Sequence, residues 1–128
     1  MRSVSGIRGV VGDTLTPQVL FSHTKAFLEI TNAKKIVIGR DSRPTGEAIV
    51  QMVSGFCRLC GVDVIDAGLA TTPSVEILVT ELKADAGIII TASHNPLEWN
   101  ALKFLHAQGL FLGPDDVKKL FALADEGK

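Results

Sequence analysis

Apolar residues along the chain occur either in short unbroken runs or at helical spacing. The short runs lie at 35–39 (KIVIG), 62–67 and 88–90. Such runs are typical of parallel strands that helices cover on both faces. The helical stretches between them predict an α/β domain, a three-layer α/β/α sandwich with a mostly parallel (mixed) central sheet and right-handed crossovers.

Four stretches carry an apolar stripe with residues three to four apart, as on one face of a helix. A threonine followed by a proline opens the first and third, a glycine closes the second, and two aspartates follow the proline that starts the fourth. The stretches and their expected sheet-facing residues are 16–30 (Val19, Leu20, Ala26, Phe27, Ile30), 45–60 (Ile49, Met52, Val53, Phe56, Leu59), 72–82 (Val75, Ile77, Leu78, Leu82) and 114–124 (Val117, Leu120, Phe121, Ala124).

Length and charge narrow the class of protein. The 128 residues are expected to form a single domain, 1–128, and the formal net charge of -1 gives no basic excess for binding nucleic acid. The apolar runs are too short to span a bilayer, and the N-terminus lacks the apolar core of a signal peptide. We therefore expect no membrane partner and a cytoplasmic location.

Two further features are interpreted as structural. Cys57 and Cys60 form a C-x-x-C in the last turn of a predicted helix, whereas redox pairs sit where a strand enters a helix. Both are therefore predicted to be packing cysteines. His23 has no second metal-binding residue one turn away, so we expect it at the surface or the edge of the core.

The strongest candidate chemistry follows the run at 88–90. Small or polar residues come next (TASHN), and Pro96 removes a backbone donor and prevents the strand from continuing. Ser93 is thereby predicted at the carboxyl end of a core strand, the edge of an α/β sheet where ligands bind.

Cationic residues are predicted near the same edge. Arg40 and Arg43 follow the strand at 35–39; Asp41 could pair with a neighbouring arginine to fix the loop, or the arginines could contact phosphate directly, and both interpretations stay open. Arg8 lies among glycines at 5–12, where the residues alone favour a turn with a solvated arginine. Together with Lys103, on a short strand expected at 101–106, these cations would suit a phosphorylated group.

Several motifs together resemble one family. TASHNP at 91–96 is similar to the phosphoserine signature of the α-D-phosphohexomutases, the family of phosphoglucomutase, phosphomannomutase and phosphoglucosamine mutase. Asn100 to Lys103 follow where that family has Asn-Gly-x-Lys, and SGIRG at 5–9 and GRDSR at 39–43 occur in the family's order. The resemblance covers the chain but only the first of the family's four domains.

The resemblance implies a reaction. Ser93 would carry a phosphoryl group, give it to a hydroxyl of a hexose 1- or 6-phosphate, and recover the other phosphate from a bisphosphate intermediate. It further implies Mg²⁺, bound through the phosphoryl group on Ser93 with its other ligands outside this chain, and a hexose bisphosphate as activator. The enzyme would be an intramolecular phosphotransferase of the isomerase class.

The resemblance also assigns roles to individual residues. Lys103 matches the family's candidate proton shuttle, but a free lysine titrates near pH ~10.4, so we assign it charge stabilisation and keep proton transfer as a hypothesis. The remaining predictions are that Arg8 lies beside the transferring phosphoryl group, that His94 assists catalysis and supports the loop with Asn95, and that phosphate or substrate is bound by Arg8, Arg40, Arg43, Asn95 and Asn100.

The chain departs from the family pattern in places. Ala101 replaces the usual glycine, Trp99 stands where tyrosine is frequent, and the metal-binding string Asp-Gly-Asp-x-Asp-Arg is missing. Asp115 and Asp116 are interpreted as helix-start charges rather than metal ligands. We therefore expect an N-terminal domain, excised or truncated, that would pack against a second domain and would be inactive in isolation.

Two other function classes compete with this interpretation. The chain could be a non-catalytic, stand-alone module that binds phosphosugars or dimerises on the same scaffold. A serine hydrolase using Ser93 is less well supported, because the sequence has no G-x-S-x-G elbow.

Overall fold

The computed structural model describes residues 2–3, 6–92 and 95–126. The described residues form a six-stranded sheet in the order β1-β2-β6-β5-β3-β4 and four helices. The elements in chain order are β1 (Arg2–Ser3), β2 (Gly6–Val10), α1 (Pro17–Thr31), β3 (Lys35–Arg40), α2 (Gly46–Leu59), β4 (Asp63–Leu69), α3 (Thr72–Glu81), β5 (Ala86–Ile90), β6 (Trp99–His106) and α4 (Pro114–Glu126).

The predicted α/β fold with a mixed sheet is confirmed, and its parallel part is confined to three strands. β3 runs parallel to both β4 and β5, whereas β6 is antiparallel to β5 and to β2. The connection from Ile90 to Trp99 contains no helix among its described residues, and a parallel return needs a crossover of a dozen or more residues. β6 therefore returns antiparallel.

Helices cover the two faces of the sheet unequally. On one face α1 packs against α2 and α4, over a core that contains alternate residues of the central strands, among them Ile88, Ile90 and Leu102. On the other face α3 contacts β3 and β5, over a smaller core around Ile89 and Leu105. Every residue of β5 is buried, as its unbroken apolar run predicts.

The caps set where α1 and α3 begin. Thr16 caps α1 as predicted, since its side chain accepts a hydrogen bond from the Val19 backbone N–H at 3.3 Å. In α3 the prediction is wrong by one residue: the cap is Thr71, which accepts from the Ser74 N–H at 3.2 Å.

In α2 and α3 the apolar stripes overpredict burial. In α3 the buried residues are Val75 and Val79, whereas the predicted Ile77 and Leu82 are exposed. Leu59, predicted in the stripe of α2, is 90% exposed, because it comes two residues after the buried Cys57 and therefore lies on the opposite face of the helix.

The glycine-shaped turn that the residues at 5–12 favour is not what residues 6–10 form. These residues form β2, which pairs with β6. A Cβ at Gly6 would clash with the Leu102 carbonyl oxygen, and one at Gly9 would lie 2.5 Å from the Thr14 Oγ1. The absence of a Cβ therefore lets Gly6 approach β6 and Gly9 approach the turn at Thr14. The glycines do not form an anion-binding loop.

The two cysteines and His23, which are interpreted as structural, differ in exposure. Cys57 is buried as predicted, but Cys60 is exposed because α2 ends at Leu59 and Cys60 lies beyond it. His23, expected at the surface or the edge of the core, is only 4% exposed. Within the described part of the chain, no helix has the length and apolar character needed to cross a membrane.

Candidate active site

The carboxyl ends of β3 and β5 lie side by side at one edge of the sheet. Arg40 is the register partner of Ile90, and the Asp41 N–H donates to the Ile90 carbonyl oxygen at 3.1 Å. The polar residues that follow the two strands therefore meet, as the sequence predicts for neighbouring parallel strands.

Asp41 connects the two loops. Its Oδ2 accepts a hydrogen bond from the Thr91 hydroxyl at 2.6 Å, directly after β5. The same oxygen pairs with the Arg43 Nε at 3.1 Å, and Oδ1 accepts from the Arg43 backbone N–H at 3.0 Å. The carboxylate thereby holds Thr91 and Arg43 against each other.

Arg43 extends from this pair to the loop that follows β5. Its guanidinium donates to the carbonyl oxygens of Asn95 at 2.8 Å, Pro96 at 2.6 Å and Trp99 at 3.1 Å. The side chain is only 6% exposed. This arrangement favours the internal ion pair that fixes the loop, and the phosphate contact predicted for Arg43 stays a prediction.

Two of the predicted catalytic residues, Ser93 and His94, lie outside the described residues. The chain on either side of them is placed: Ala92 is buried, and the Asn95 N–H donates to the Ala92 carbonyl oxygen at 3.1 Å. The predicted site is therefore located by its flanking residues.

Arg8 approaches this segment from β2. It pairs with Ala101 of β6, and its Nη1 lies 3.4 Å from the Asn95 Oδ1. Lys103 pairs with Gly6 and Ile89. Residues two apart on a strand share a face, so Arg8 and Lys103 are diagonal neighbours, with Cβ atoms somewhat less than about 7–8 Å apart. Both are half-buried.

Arg40 projects from the opposite face of the sheet. Its register partner Ile90 belongs to the larger core, on the face that α2 covers. The Arg40 side chain lies against the first residue of α2, since a Cβ added at Gly46 would be 3.2 Å from the Arg40 Cδ. Its Nη1 donates to the Asp41 carbonyl oxygen at 3.2 Å. The cations predicted to gather at this edge are thus divided between the two faces.

Asn100 is enclosed in the fold. It is 0% exposed; its Nδ2 donates to the Thr45 Oγ1 at 3.1 Å, and its Oδ1 accepts from the Ala101 N–H at 2.9 Å. This placement favours a structural role, joining β6 to the start of α2, over the predicted contact with substrate. Ala101 is buried within the regular part of β6, where a Cβ is accommodated.

Thr91 is the site residue that the sequence analysis did not single out. The sequence contained a signal for it. Thr91 directly follows the strand β5, Asp41 directly follows the neighbouring parallel strand β3, and polar residues at these two positions are expected to meet. Within the described residues, no group of three or more histidine, cysteine or acidic side chains could hold a metal ion. Asp41, the acidic residue placed here, is engaged by Arg43 and Thr91, so these residues do not by themselves form a Mg²⁺ site.

Comparisons with known proteins agree with this architecture. The family model described as "Phosphoglucomutase/phosphomannomutase, alpha/beta/alpha domain I" matches residues 2–128. A phosphoglucosamine mutase from Alkaliphilus metalliredigens is 44% identical over 119 residues, which are 89% of this chain and 26% of that protein. A probable phosphoglucosamine mutase from Thermococcus kodakarensis is 40% identical over 123 residues, covering 96% of this chain and 27% of that protein.

Solved structures share the fold. A phosphoglucomutase/phosphomannomutase family protein from Burkholderia thailandensis superposes with a TM-score of 0.82 at 29% identity, covering 97% of this chain and 29% of that one. The chain spans about a quarter of the length of the curated relatives that it matches. By its sequence motifs, its α/β/α layers and these matches, the chain belongs to the phosphoglucomutase/phosphomannomutase family, as its α/β/α domain I.

Proposed function

We propose that this chain is the phosphoserine domain of a phosphohexomutase and that Ser93 is the phosphoryl carrier. The observation that supports this most directly is the placement of Arg8 against Asn95, with Lys103 beside Arg8 on the same face of the sheet. Two cations thereby lie next to the segment that contains the serine, where they would neutralise charge on a transferring phosphoryl group.

The proposed step exchanges one oxygen–phosphorus bond for another. A hydroxyl oxygen of a hexose phosphate bonds to the phosphorus on Ser93 while the bond between phosphorus and the Ser93 Oγ breaks. The hydroxyl proton passes to solvent or to the amine of Lys103, and the Ser93 oxygen released from phosphorus takes up a proton from the same source. Transfer of the other phosphate of the resulting bisphosphate back to Ser93 restores the phosphoserine and releases the isomeric hexose phosphate.

The remaining parts of the proposal concern groups beyond this domain. The curated relatives named above are phosphoglucosamine mutases, so hexosamine phosphates are the first substrates to test. The described residues do not form a Mg²⁺ site, and the proposed Mg²⁺ therefore needs ligands outside them. A hexose bisphosphate is the proposed activator. A second domain would supply the remaining contacts to the sugar phosphate.

The test uses the protein that the natural gene encodes. Intact mass and peptide mapping should detect one phosphoryl group on Ser93, and the protein should interconvert glucosamine 6-phosphate and 1-phosphate when primed with a hexose bisphosphate. Ser93→Ala should abolish both. A protein that binds hexose phosphates but never carries phosphate on Ser93 would instead be a non-catalytic binding module.

A further inference from the structure

The Arg43 side chain holds the loop that carries the proposed phosphoserine. We propose that Arg43 is a positioning residue, acting on phosphoryl transfer through the backbone of that loop and without contacting substrate. The inference rests on the proposed role of Ser93, because it concerns how the chain around that residue is placed for the reaction.

Three of the contacts that the Arg43 guanidinium makes are with backbone carbonyl oxygens. The guanidinium is planar and its N–H donors point in fixed directions, so the carbonyls of Asn95, Pro96 and Trp99 must converge on one plane to accept from it. These carbonyls span the segment that leads from the serine to β6. A single buried side chain thereby sets the path of that segment.

Asp41 fixes the guanidinium and extends its effect to the other side of the serine. Its Oδ2 accepts from both the Arg43 Nε and the Thr91 hydroxyl. Thr91 precedes Ser93 by two residues, and Asn95 follows it by two. One ion pair therefore ties down the chain before and after the serine.

The charge of Arg43 is already balanced within the fold. Asp41 supplies the opposite charge, as a buried cation requires, and the carbonyl contacts use the same guanidinium nitrogens that a phosphate would need. This is why a role through the loop accounts for the geometry better than direct binding of a substrate phosphate.

The expected kinetic signature follows from this mode of action. Displacing a reacting group by about 1 Å can cost on the order of 100-fold in rate. In the natural full-length protein, Arg43→Ala should lower kcat by roughly 10- to 100-fold and leave the KM for hexose phosphate within about twofold, since no substrate contact is lost. The kcat of Arg43→Lys should lie between those of the wild-type protein and Arg43→Ala, because an ammonium group cannot donate to all three carbonyl oxygens in one plane.

A matched variant separates loop positioning from loss of stability. The Asp85 Oδ2 accepts from the backbone N–H groups of Lys34 and Lys35, at the amino end of β3 and therefore at the opposite edge of the sheet. Asp85→Ala removes a comparable anchor far from the serine, and should lower the unfolding midpoint while kcat is kept. Amide exchange over 95–99 should accelerate in Arg43→Ala but not in Asp85→Ala.

Thr91→Val provides a test in which the guanidinium stays in place. It removes the hydroxyl that donates to Asp41 and should lower kcat several-fold, again with KM unchanged.

The outcomes are distinguishable. Arg43→Ala with a raised KM and normal kcat would overturn the inference and restore direct phosphate binding. An Arg43→Ala variant with wild-type kcat and unchanged amide exchange over 95–99 would also overturn the inference. In either case, wild-type protein that is phosphorylated on Ser93 and active would still support the proposed function. Absence of phosphoserine and turnover in the wild-type protein would overturn the proposed function itself, and the inference with it.

Discussion

Single side chains at the candidate site take their positions from the strands that carry them. Arg8 reaches Asn95 because β2 pairs with β6 in the register that sets Arg8 opposite Ala101. The same pairing sets Lys103 on that face. Substituting either cation therefore alters the charge beside the serine loop while the pairing of β2 with β6 is kept.

Lys103 can be tested for charge against proton transfer. Lys103→Met should lower kcat by about 100-fold in the full-length protein, the loss typical of removing one group that stabilises transition-state charge. Lys103→Arg retains a cation but provides no practical proton acceptor, and we expect it to keep near-normal kcat. Equal inactivity of both variants would contradict the charge role and support proton transfer.

The two cysteines should differ in reactivity. Burial raises the pKa of the Cys57 thiol to about 12, and this residue is fully enclosed, whereas Cys60 is exposed. Because the thiolate is the reactive form, a thiol reagent such as DTNB should modify Cys60 rapidly in the native protein and Cys57 only after unfolding. Cys60→Ser should remove the fast phase, and a fast phase that persists would contradict this assignment.

At the scale of elements, the pairing of β2 with β6 depends on glycine. Gly6→Ala would place a methyl group against the Leu102 carbonyl oxygen and should destabilise the fold by more than about 1 kcal/mol. Gly55→Ala is the matched control, because it lies in α2 with no heavy atom within 4 Å of the added Cβ, and should stabilise by about 0.5–1 kcal/mol. Urea unfolding of both variants checks the sign of each change.

His23, on α1, contacts Arg2 of β1 and packs edge-on against Phe121 of α4, with 5.9 Å between the ring centroids. Its Nδ1 donates to the Val19 carbonyl oxygen at 2.8 Å, and its Nε2 accepts from the Arg2 Nε at 3.3 Å. Burial lowers the pKa of His23 below 6.5, and the Arg2 charge adds to the lowering, although the Val19 carbonyl and Asp125 partly oppose it.

Stability should therefore depend on pH through His23. Below pH 6.5 the unfolded chain binds a proton that the folded state resists, so the free energy of unfolding falls as pH drops from 6.5 toward the lowered folded pKa, and this contribution then levels off. His23→Gln should flatten the slope in that window, whereas His106→Gln, at the end of β6, leaves the Arg2 contact intact and should keep it. An unchanged slope in His23→Gln would contradict the assignment.

At the scale of the whole molecule, the site lies where the sheet is least covered by helices. α3 packs on β3 and β5, while Arg8 and Lys103 lie on β2 and β6 of the same face. The relatives that the chain matches are about four times its length. The uneven covering leaves Arg8 and Lys103 on strands of this face other than the two that α3 contacts.

The isolated 128-residue chain should fold but show negligible mutase turnover. Its two cores are complete enough for cooperative unfolding in urea, whereas the described residues contain no group of side chains that could hold the Mg²⁺ of the proposed reaction. A coupled assay with a hexose phosphate, a bisphosphate primer and Mg²⁺ measures turnover. Robust turnover by this chain alone would show that the catalytic parts are all present within it.

Much of the local structure and the class of chemistry can be predicted from short stretches of the sequence. The apolar run at 88–90 predicted a buried strand, Thr16 and Pro17 predicted the start of α1, and the residues after two strands predicted a polar edge. These features depend on spacing within a few residues, which the chain encodes directly. The motif resemblance identified the family by the same local strings.

How distant segments meet becomes visible only in the folded sheet. It turned the glycine-rich segment into β2, buried Asn100, divided Arg40 from Arg8, and directed Arg43 to carbonyls some fifty residues away. The physical reason is that each outcome depends on a partner distant in the chain, and a hydrogen bond or strand pairing between such segments exists only once the sheet has brought them together.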